Sequence, residues 1–556
     1  MNAPLEADRP ERRRRVVVVG GGISGLAAAY QLTRGASSHK SAPEVVLVEA
    51  SPRLGGTLRT HTRDGFLLEG GPDAFISEKP EALELARELG IESRLLETNA
   101  ERRRSFVVGG GRLRPVPEGF HLLAPSRFLP FVTTDIFSWA GKARMSLDLF
   151  LPRRAGARDS GSGGSDDDDD ESLAAFVRRR FGREALARMA QPMVGGIYTA
   201  DPERLSLRAT MPRFLDMERA HRSIILAMWR ARRRAAAGDV DTRGTSGARY
   251  SLFLSFDNGM QTLADALAAA LPPSTARLDT TVEAIDFDPQ TRQWNLRLGA
   301  GDNRAGGGAT TGDEMMSGGA INGEAINRGA INGEATNGGV ANSGATSGGA
   351  TGGGATIAAD ALCLALPAYA AARLLGGVDA ELAAELAAIP YASTATVNLA
   401  FRRRDIPHPL DGFGFVVPFV ERRSTLACTF SSVKFAGRAP EGHALLRAFV
   451  GGALQPEMYA LDEEHIVAAV LGDLRALLGV ERAPLFAHVE RWPRSMAQYH
   501  LGHLARVARI HRRLRQFPTL RLAGNAYGGA GIPDCIRGGR TAASELSKQL
   551  SPDIHE

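Results

Sequence analysis

The run at residues 15–25, RVVVVGGGISG, constrains this chain more than any other stretch. Four successive valines suit a strand buried on both faces, as in a parallel sheet. They lead directly into Gly20, Gly22 and Gly25. At that spacing one glycine makes a tight turn, one lets backbone approach a pyrophosphate, and one lets the next helix pack close to the strand. Residues 26–32 continue as a helix with an alanine-rich face, whose N-terminus offers free N–H groups and a positive dipole end to a phosphate. A second strand, residues 45–48, ends in Glu49, an acid placed to accept both ribose hydroxyls of a dinucleotide. The polar loop 35–44 absorbs the extra length between Gly25 and Glu49.

Residues 51–60, SPRLGGTLRT, sharpen the nucleotide reading. A Gly55-Gly56 pair after an acidic strand end continues as FAD proteins do rather than NAD dehydrogenases, with backbone and Arg53 placed to meet the cofactor. Gly70-Gly71-Pro72-Asp73 makes a rigid turn after the apolar residues 66–68. At the far end a strand at 520–526, a glycine-rich turn and Ile532-Pro533-Asp534 lead into a last helix. Free N–H groups at such a helix start stabilise negative charge, which suits the other side of the same cofactor.

Between these ends the pattern changes several times. Residues 80–96 repeat Leu83, Leu85, Ala86, Leu89 and Ile91 at helical spacing, and residues 106–117 predict a hairpin turning on Gly109 to Gly111. The Phe- and Leu-rich segment 119–154 leaves two readings open: a buried helical subdomain, or an apolar surface that dips into a bilayer or lines a channel for a large flat ligand. The acidic tract 156–171 predicts a linker. A turn is expected at residues 195–198, one amphipathic helix at 211–237, and a strand, turn and helix at 251–271. Strands are expected at 281–285, 294–298, 359–367, 394–401, 414–419, 424–431 and 445–450, with a helix at 465–478. The Gly/Asn/Ala tract 299–356 has few large apolar side chains and no aromatics, so burial cannot offset its chain entropy. It is expected to be a dispensable insertion at a hairpin tip.

Length and charge bound the function. The 556 residues suggest roughly two to four domains. A net charge of +5 suits anionic substrates or a membrane surface and gives no argument for nucleic acid. The three cysteines, Cys363, Cys428 and Cys535, form no CxxC pair and no disulfide framework, which points to a reducing compartment. No metal-ligand spacing is visible, and His500 with His503 reads as structural. The N-terminal segment has no apolar core of a signal peptide, and its Arg12–Arg15 run is read as a solvated tail or a membrane or targeting signal. No window has the ~18 to 20 uncharged apolar residues of a spanning helix.

Seven motifs carry a resemblance across most of the chain: VVVVGGGISGLAAAY, VEASPRLGGTLRT, EGGPDAFISEK, GRLRPVPEGF, GGIYTADPERLSL, ERWPRSMAQYHLGH and GAGIPDCIRGGR. They resemble the bacterial porphyrinogen oxidases of haem synthesis, the protoporphyrinogen IX and coproporphyrinogen III oxidase family of the amine-oxidase-like FAD superfamily. The acidic linker and the Gly/Asn/Ala insertion depart from that pattern, both in loops. The resemblance implies an α/β and α+β fold. A discontinuous Rossmann-like FAD-binding domain would comprise residues 1–100, 248–382 and 501–556. A mainly helical subdomain, with membrane contact left open, would occupy 101–237, and an α+β substrate domain 383–500.

The resemblance also implies roles for single residues. Gly20, Gly21, Gly22, Ile23, Ser24 and Gly25 would hold the pyrophosphate of a non-covalent FAD, Glu49 with Ala50 the adenosine ribose, and Gly56 with Thr57 the second glycine turn. Gly71, Pro72, Asp73 and Ala74 would approach the flavin, and Val282 would meet adenine through its backbone. Trp492, Gly531, Ile532 and Pro533 would border the isoalloxazine. On the substrate side, Arg104 falls where the family places a propionate-binding arginine, although a strict alignment to eukaryotic members puts Ser105 there. Lys79 matches a lysine near the cavity, Phe435 a residue that stacks on a pyrrole ring, and Gly196 a backbone approach to the substrate.

No Ser/His/Asp set, acid pair or second nucleotide fingerprint is present, so the flavin is expected to carry the chemistry. It would take a hydride from a porphyrinogen bridge carbon three times over while a ring N–H releases a proton, with dioxygen as reoxidant. The expected partners are a porphyrinogen, dioxygen, the membrane surface and the next haem-pathway enzyme. The expected location is the cytoplasm, peripheral on the inner face of the plasma membrane. Two alternatives stay open: another amine-oxidase-like flavoprotein, although Gly529 and Ile532 stand where an amine oxidase needs aromatics, or a non-catalytic FAD or tetrapyrrole carrier.

Overall fold

A computed structural model describes residues 13–34, 43–121, 123–154, 170–236, 252–300 and 355–550. The valine run forms the strand Arg15–Val19, with Val16 to Val19 at most 4% exposed. It is the middle of a five-stranded parallel sheet in the order Ala276–Arg277, Glu44–Val48, Arg15–Val19, Ala361–Leu364, Leu520–Leu522. These strands come from four distant parts of the sequence, so the nucleotide domain is discontinuous. The helix Ile23–Arg34 lies against the C-terminal helix Ile532–Leu550, where Gly539 leaves no room for a Cβ beside Ser24 O.

The second large element is a seven-stranded sheet ordered Phe486–Ala497, Tyr391–Arg402, His443–Gly451, Ala427–Phe430, Gly414–Val416, Ser105–Gly109, Arg112–Pro115. One face packs Val397, Leu399, Leu446 and Phe430 with Ile466, Val470 and Leu474 of the helix Glu463–Leu478. The other carries Thr396, Asn398, Arg447, Glu490 and Trp492 towards the nucleotide domain. That face is mixed, since Ala400, Leu445 and Phe486 on it pack against Phe66 and Leu68, as a sheet with two different neighbours allows.

Several boundaries differ from the sequence reading. The hairpin Ser105–Gly109/Arg112–Pro115 belongs to the seven-stranded sheet through parallel pairing with Gly414–Val416, not to the helical region 101–237. Residues 195–198 end a helix, Gln191–Tyr198, which stops at the left-handed Thr199. The expected helix at 211–237 is two, Pro212–His221 and Ile224–Ala236, broken at Arg222–Ser223. The helix expected over 80–96 stops at Glu88 and gives way to the strand Leu95–Glu97.

The linker 156–171 lies outside the described residues apart from its last two, and so do residues 301–354 of the long tract. The strands flanking that tract, Gln293–Ala300 and Thr356–Ala359, pair antiparallel, with Leu298 N donating to Ala355 O at 2.8 Å. The tract therefore leaves and returns at one hairpin end. No helix among the described residues is long and apolar enough to cross a membrane.

Candidate cofactor and substrate site

The glycine loop after Arg15–Val19 is built to be filled. A Cβ on Gly25 would run into Gly20 O, so the loop closes tightly on the helix start, whereas a Cβ on Gly22 would meet nothing within 4 Å. The space over Gly22 is a cradle at a helix N-terminus, beside Ile23 and Ser24. The second glycine turn docks on the first: Gly55 N donates to Gly21 O at 2.8 Å, and Gly22 bridges Gly55 in parallel. Gly56 and Thr57 stay exposed on the rim.

Glu49 faces this cradle. Its Oε2 accepts from Gly21 N at 2.6 Å, and its Oε1 accepts from Ser51 N and Ser51 Oγ at 2.9 and 2.6 Å. A carboxylate has about four lone-pair positions, so these bonds orient Glu49 and leave acceptor capacity for a ribose beside the exposed Ala50. Thr280 N donates to Glu49 O at 3.0 Å, which brings Val282 alongside. A β-bulge after Val282 leaves backbone outside the ladder there. Arg53 does not reach out to a cofactor: its guanidinium donates to the carbonyls of Leu54, Gly56 and Leu58 and to Gln261. It holds the second turn instead.

The Gly70–Ala74 turn is held from the seven-stranded sheet. Trp492 Nε1 and Thr396 Oγ1 each donate to Gly70 O at 2.8 Å, Asn398 Nδ2 donates to Glu69 O at 3.1 Å, and Arg447 donates to Gly71 O. Each such bond contributes about 1 kcal/mol net; together they fix Gly71, Pro72, Asp73 and Ala74 against the sheet and place Trp492 beside the turn. Burial works to raise the Asp73 carboxyl, but Lys434, 2.9 Å away, and Arg447 outweigh it and hold the group below the usual carboxylate range. The sequence reading missed Arg447 and Lys434. The available signal was one arginine in the otherwise apolar run 444–450 of the strand His443–Gly451.

On the far side, Gly531 caps the helix Ile532–Leu550, with Cys535 N donating to Gly531 O at 2.9 Å and Ile532 and Pro533 in the first turn. Asp534 stands in the same turn. Lys79 Nζ lies 2.5 Å from Asp534 Oδ2, and Arg537 takes the other oxygen at 2.5 Å. Lys79 is therefore committed to a carboxylate that is only 4% exposed, and is not a free anchor for a substrate. Phe435 is also corrected: it is 1% exposed and packed under the cations of Lys434 and Arg438, so it offers no ring face to a ligand. Gly196 is exposed on its helix, with Val416 of the sheet 3.7 Å from where a Cβ would stand. The neighbouring Tyr198 hydroxyl is raised by burial and by the charge of Asp534. Arg104 is half exposed, pairs with Asp411 at 2.8 Å, and lies beside a strand five positions across the sheet from that of Trp492.

Glu69, at the base of the turn, is 3% exposed. Burial pushes its carboxyl up to about 7, against the Met260 N–H, the Thr60 hydroxyl, Arg438 and Arg447, which pull it down. The folded chain therefore holds this proton where the unfolded chain has lost it. The stabilisation is full below about pH 4.3 and is lost as pH rises through about 7, by up to about 3 kcal/mol. Glu69→Gln should flatten that part of the profile, so the gap between melting temperatures at pH 5 and pH 8 should narrow. Parallel wild-type and variant profiles would refute this.

A family model of flavin-containing amine oxidoreductases matches residues 23–313 and 339–547. The chain belongs to this family. The cradle over Gly22, the oriented Glu49 and the capped helix start at Gly531 fit the cofactor of this flavoprotein, which is FAD. Among curated relatives, it is 35% identical to the coproporphyrinogen III oxidase of Propionibacterium freudenreichii, over 96% of this chain and 90% of that one. It is 31% identical to the coproporphyrinogen III oxidase of Bacillus subtilis, over 97% and 99%. A crystal structure assigned to protoporphyrinogen oxidase from Exiguobacterium sp. 255-15 superposes with a TM-score of 0.74 at 26% identity, covering 96% of this chain and 99% of that one.

Proposed function

We propose that this flavoprotein oxidises a porphyrinogen to the porphyrin in haem biosynthesis, with coproporphyrinogen III as the preferred substrate and dioxygen as the terminal acceptor. The observation that carries the reading is the near full-length similarity to two coproporphyrinogen III oxidases at 35% and 31% identity. Bound non-covalently, FAD supplies the two-electron acceptor for each oxidation. The chain supplies the rest. The Gly20–Gly25 loop and Glu49 seat the nucleotide, and the Gly71–Ala74 turn and Trp492 fix the flavin end. The helix start at Gly531 favours negative charge there, while Lys79 and Arg537 offset the charge of Asp534 so that it does not work against that dipole. In this reading, with the hairpin 105–115 moved to the substrate domain, the substrate would lie on the Gly196 side of the flavin. Anaerobic addition of coproporphyrinogen III should bleach the flavin, and side-by-side kcat/KM values should favour it over protoporphyrinogen IX. Flavin that stays yellow with both would leave the carrier reading standing.

Arg104 remains the candidate propionate anchor. Its partner Asp411 is partly exposed, and exposed pairs contribute about 0–1 kcal/mol, so a substrate carboxylate can displace Asp411 at small cost. A charge-assisted bond contributes roughly 1.5–3 kcal/mol. Arg104→Ala should therefore raise KM for coproporphyrinogen III by about one to two decades with kcat nearly unchanged. An unchanged KM would remove Arg104 from the site.

For location, we propose peripheral attachment to the cytoplasmic membrane face through the helical subdomain. Phe128 and Phe150 are 79% and 75% exposed, and Leu129 and Trp139 nearly as much. Burying one such side chain gains about 1.5–3 kcal/mol. Vesicles containing anionic lipid should co-sediment the protein, and a triple Phe128→Ser, Trp139→Ser, Phe150→Ser variant should remain in solution. Equal sedimentation of the two would count against attachment here.

A further inference from the structure

Away from the nucleotide cradle, three side chains converge on one point at the seam between two domains. His61 comes from the strand Thr60–Arg63 of the cofactor domain, and His488 and Glu490 come from the edge strand Phe486–Ala497 of the large sheet. His61 Nε2 lies 3.0 Å and His488 Nε2 lies 3.4 Å from the same oxygen, Glu490 Oε2. All three atoms lie within 4.8 Å of one another. The Glu490 side chain is 10% exposed, and its other oxygen is held by Arg59 Nη1 at 2.8 Å. His488 Nε2 is buried and makes no hydrogen bond.

These facts point to one kind of occupant. Two imidazole nitrogens and a carboxylate oxygen form a donor set that suits zinc and neighbouring transition metals, whereas calcium and magnesium want oxygen ligands throughout. Ligands held about 2.0–2.1 Å from a tetrahedral ion stand roughly 3.4 Å apart, close to the two separations seen. Arg59 acts as the outer partner that fixes the carboxylate, leaving Oε2 aimed at the histidines. The rings of His61 and His488 meet edge to face at 60° with centroids 4.7 Å apart.

We propose that His61, His488 and Glu490 bind one divalent transition-metal ion of the zinc type, with a fourth position open to water. The ion ties the hairpin Thr60–Arg63/Phe66–Glu69 to the large sheet. Glu490 also packs against Gly70, where a Cβ would stand 3.0 Å from its carboxylate, and two residues further along the same strand Trp492 donates to Gly70 O. Occupancy therefore clamps the turn that approaches the flavin, without taking part in the redox step.

The test uses tag-free, FAD-loaded protein stripped with a chelator and then titrated calorimetrically with Zn2+. Wild type should take up one ion per chain at this site and melt at a higher temperature when saturated. His488→Ala and Glu490→Gln should each lose affinity by at least about tenfold and lose the thermal shift, while retaining wild-type FAD content. His61→Ala, altering the other domain, should behave alike and covers the case in which a sheet variant fails to fold. Equal Zn2+ affinity and equal thermal shift in wild type and the folded variants would overturn the proposal, as would no uptake by wild type at roughly millimolar Zn2+.

Discussion

Gly22→Val should give a folded, colourless protein. A Cβ on Gly22 would meet no protein atom within 4 Å, and its backbone is not left-handed, so valine is expected to cost the apo fold little. It fills the cradle at the start of the helix Ile23–Arg34, where the proposed pyrophosphate would come against backbone N–H groups. Losing two charge-assisted hydrogen bonds removes roughly 3–6 kcal/mol, or two to four decades of affinity. Gly25→Ala should fail in another way, because its Cβ collides with Gly20 O and the loop itself must open. The comparison separates a ligand contact from a packing contact. Bound flavin is read from visible absorbance after incubation with FAD, and folding from circular dichroism. Yellow Gly22→Val protein with stoichiometric FAD would show that the cradle lies elsewhere.

That contrast shows why the cofactor half of the site was legible in the sequence. The elements proposed to seat the nucleotide are close together in the chain: a valine run, three glycines, a helix, an acid at the next strand end. Each local choice has one structural meaning, and the structure keeps them all. The parts that were not legible depend on residues meeting across the chain. The strand Phe486–Ala497 went unread because FAHVERWPRSMA carries His488, Glu490, Arg491 and Pro493, which disguise its alternation until Tyr391–Arg402 is seen pairing beside it. Its polar face is the domain seam, so His488, Glu490 and Trp492 are polar for a reason visible only once the nucleotide domain lies opposite. Phe435 and Lys79 failed similarly. A motif places a residue near a cavity, but Arg438 stacked on one and Asp534 bonded to the other decide what each can touch. Residues 195–198 read as a turn because Gly195-Gly196 is a breaker by propensity, yet they end the helix Gln191–Tyr198, where tertiary packing overrides that preference.

The helical subdomain has its own centre, and Asp148→Ala should be the most destabilising of the substitutions considered. Arg180 ends the helix Leu173–Arg180 and is 0% exposed, as is Asp148. Arg180 Nε donates to Asp148 Oδ1 at 2.6 Å, and its remaining donors reach the carbonyls of Pro152 at 3.0 Å, Asp148 at 3.1 Å and Arg222 at 2.5 Å. Asp148 Oδ2 accepts from Ser223 Oγ at 2.6 Å and from Ile225 N at 3.0 Å. The break between the helices Pro212–His221 and Ile224–Ala236 is thus held by one carboxylate that also neutralises the guanidinium. Burying both charges contributes little stability in itself, because desolvation offsets their attraction; removing Asp148 leaves the buried Arg180 with only the longer contact to Glu218 Oε1 at 3.6 Å, at up to about 3–5 kcal/mol. Asp148→Ala should lower stability by that amount in thermal or urea unfolding. The double variant Asp148→Leu/Arg180→Met, which removes both charges at similar volume, should recover much of the loss. A single variant within about 1 kcal/mol of wild type would mean that the pair is hydrated and that the helices are held by their apolar faces alone.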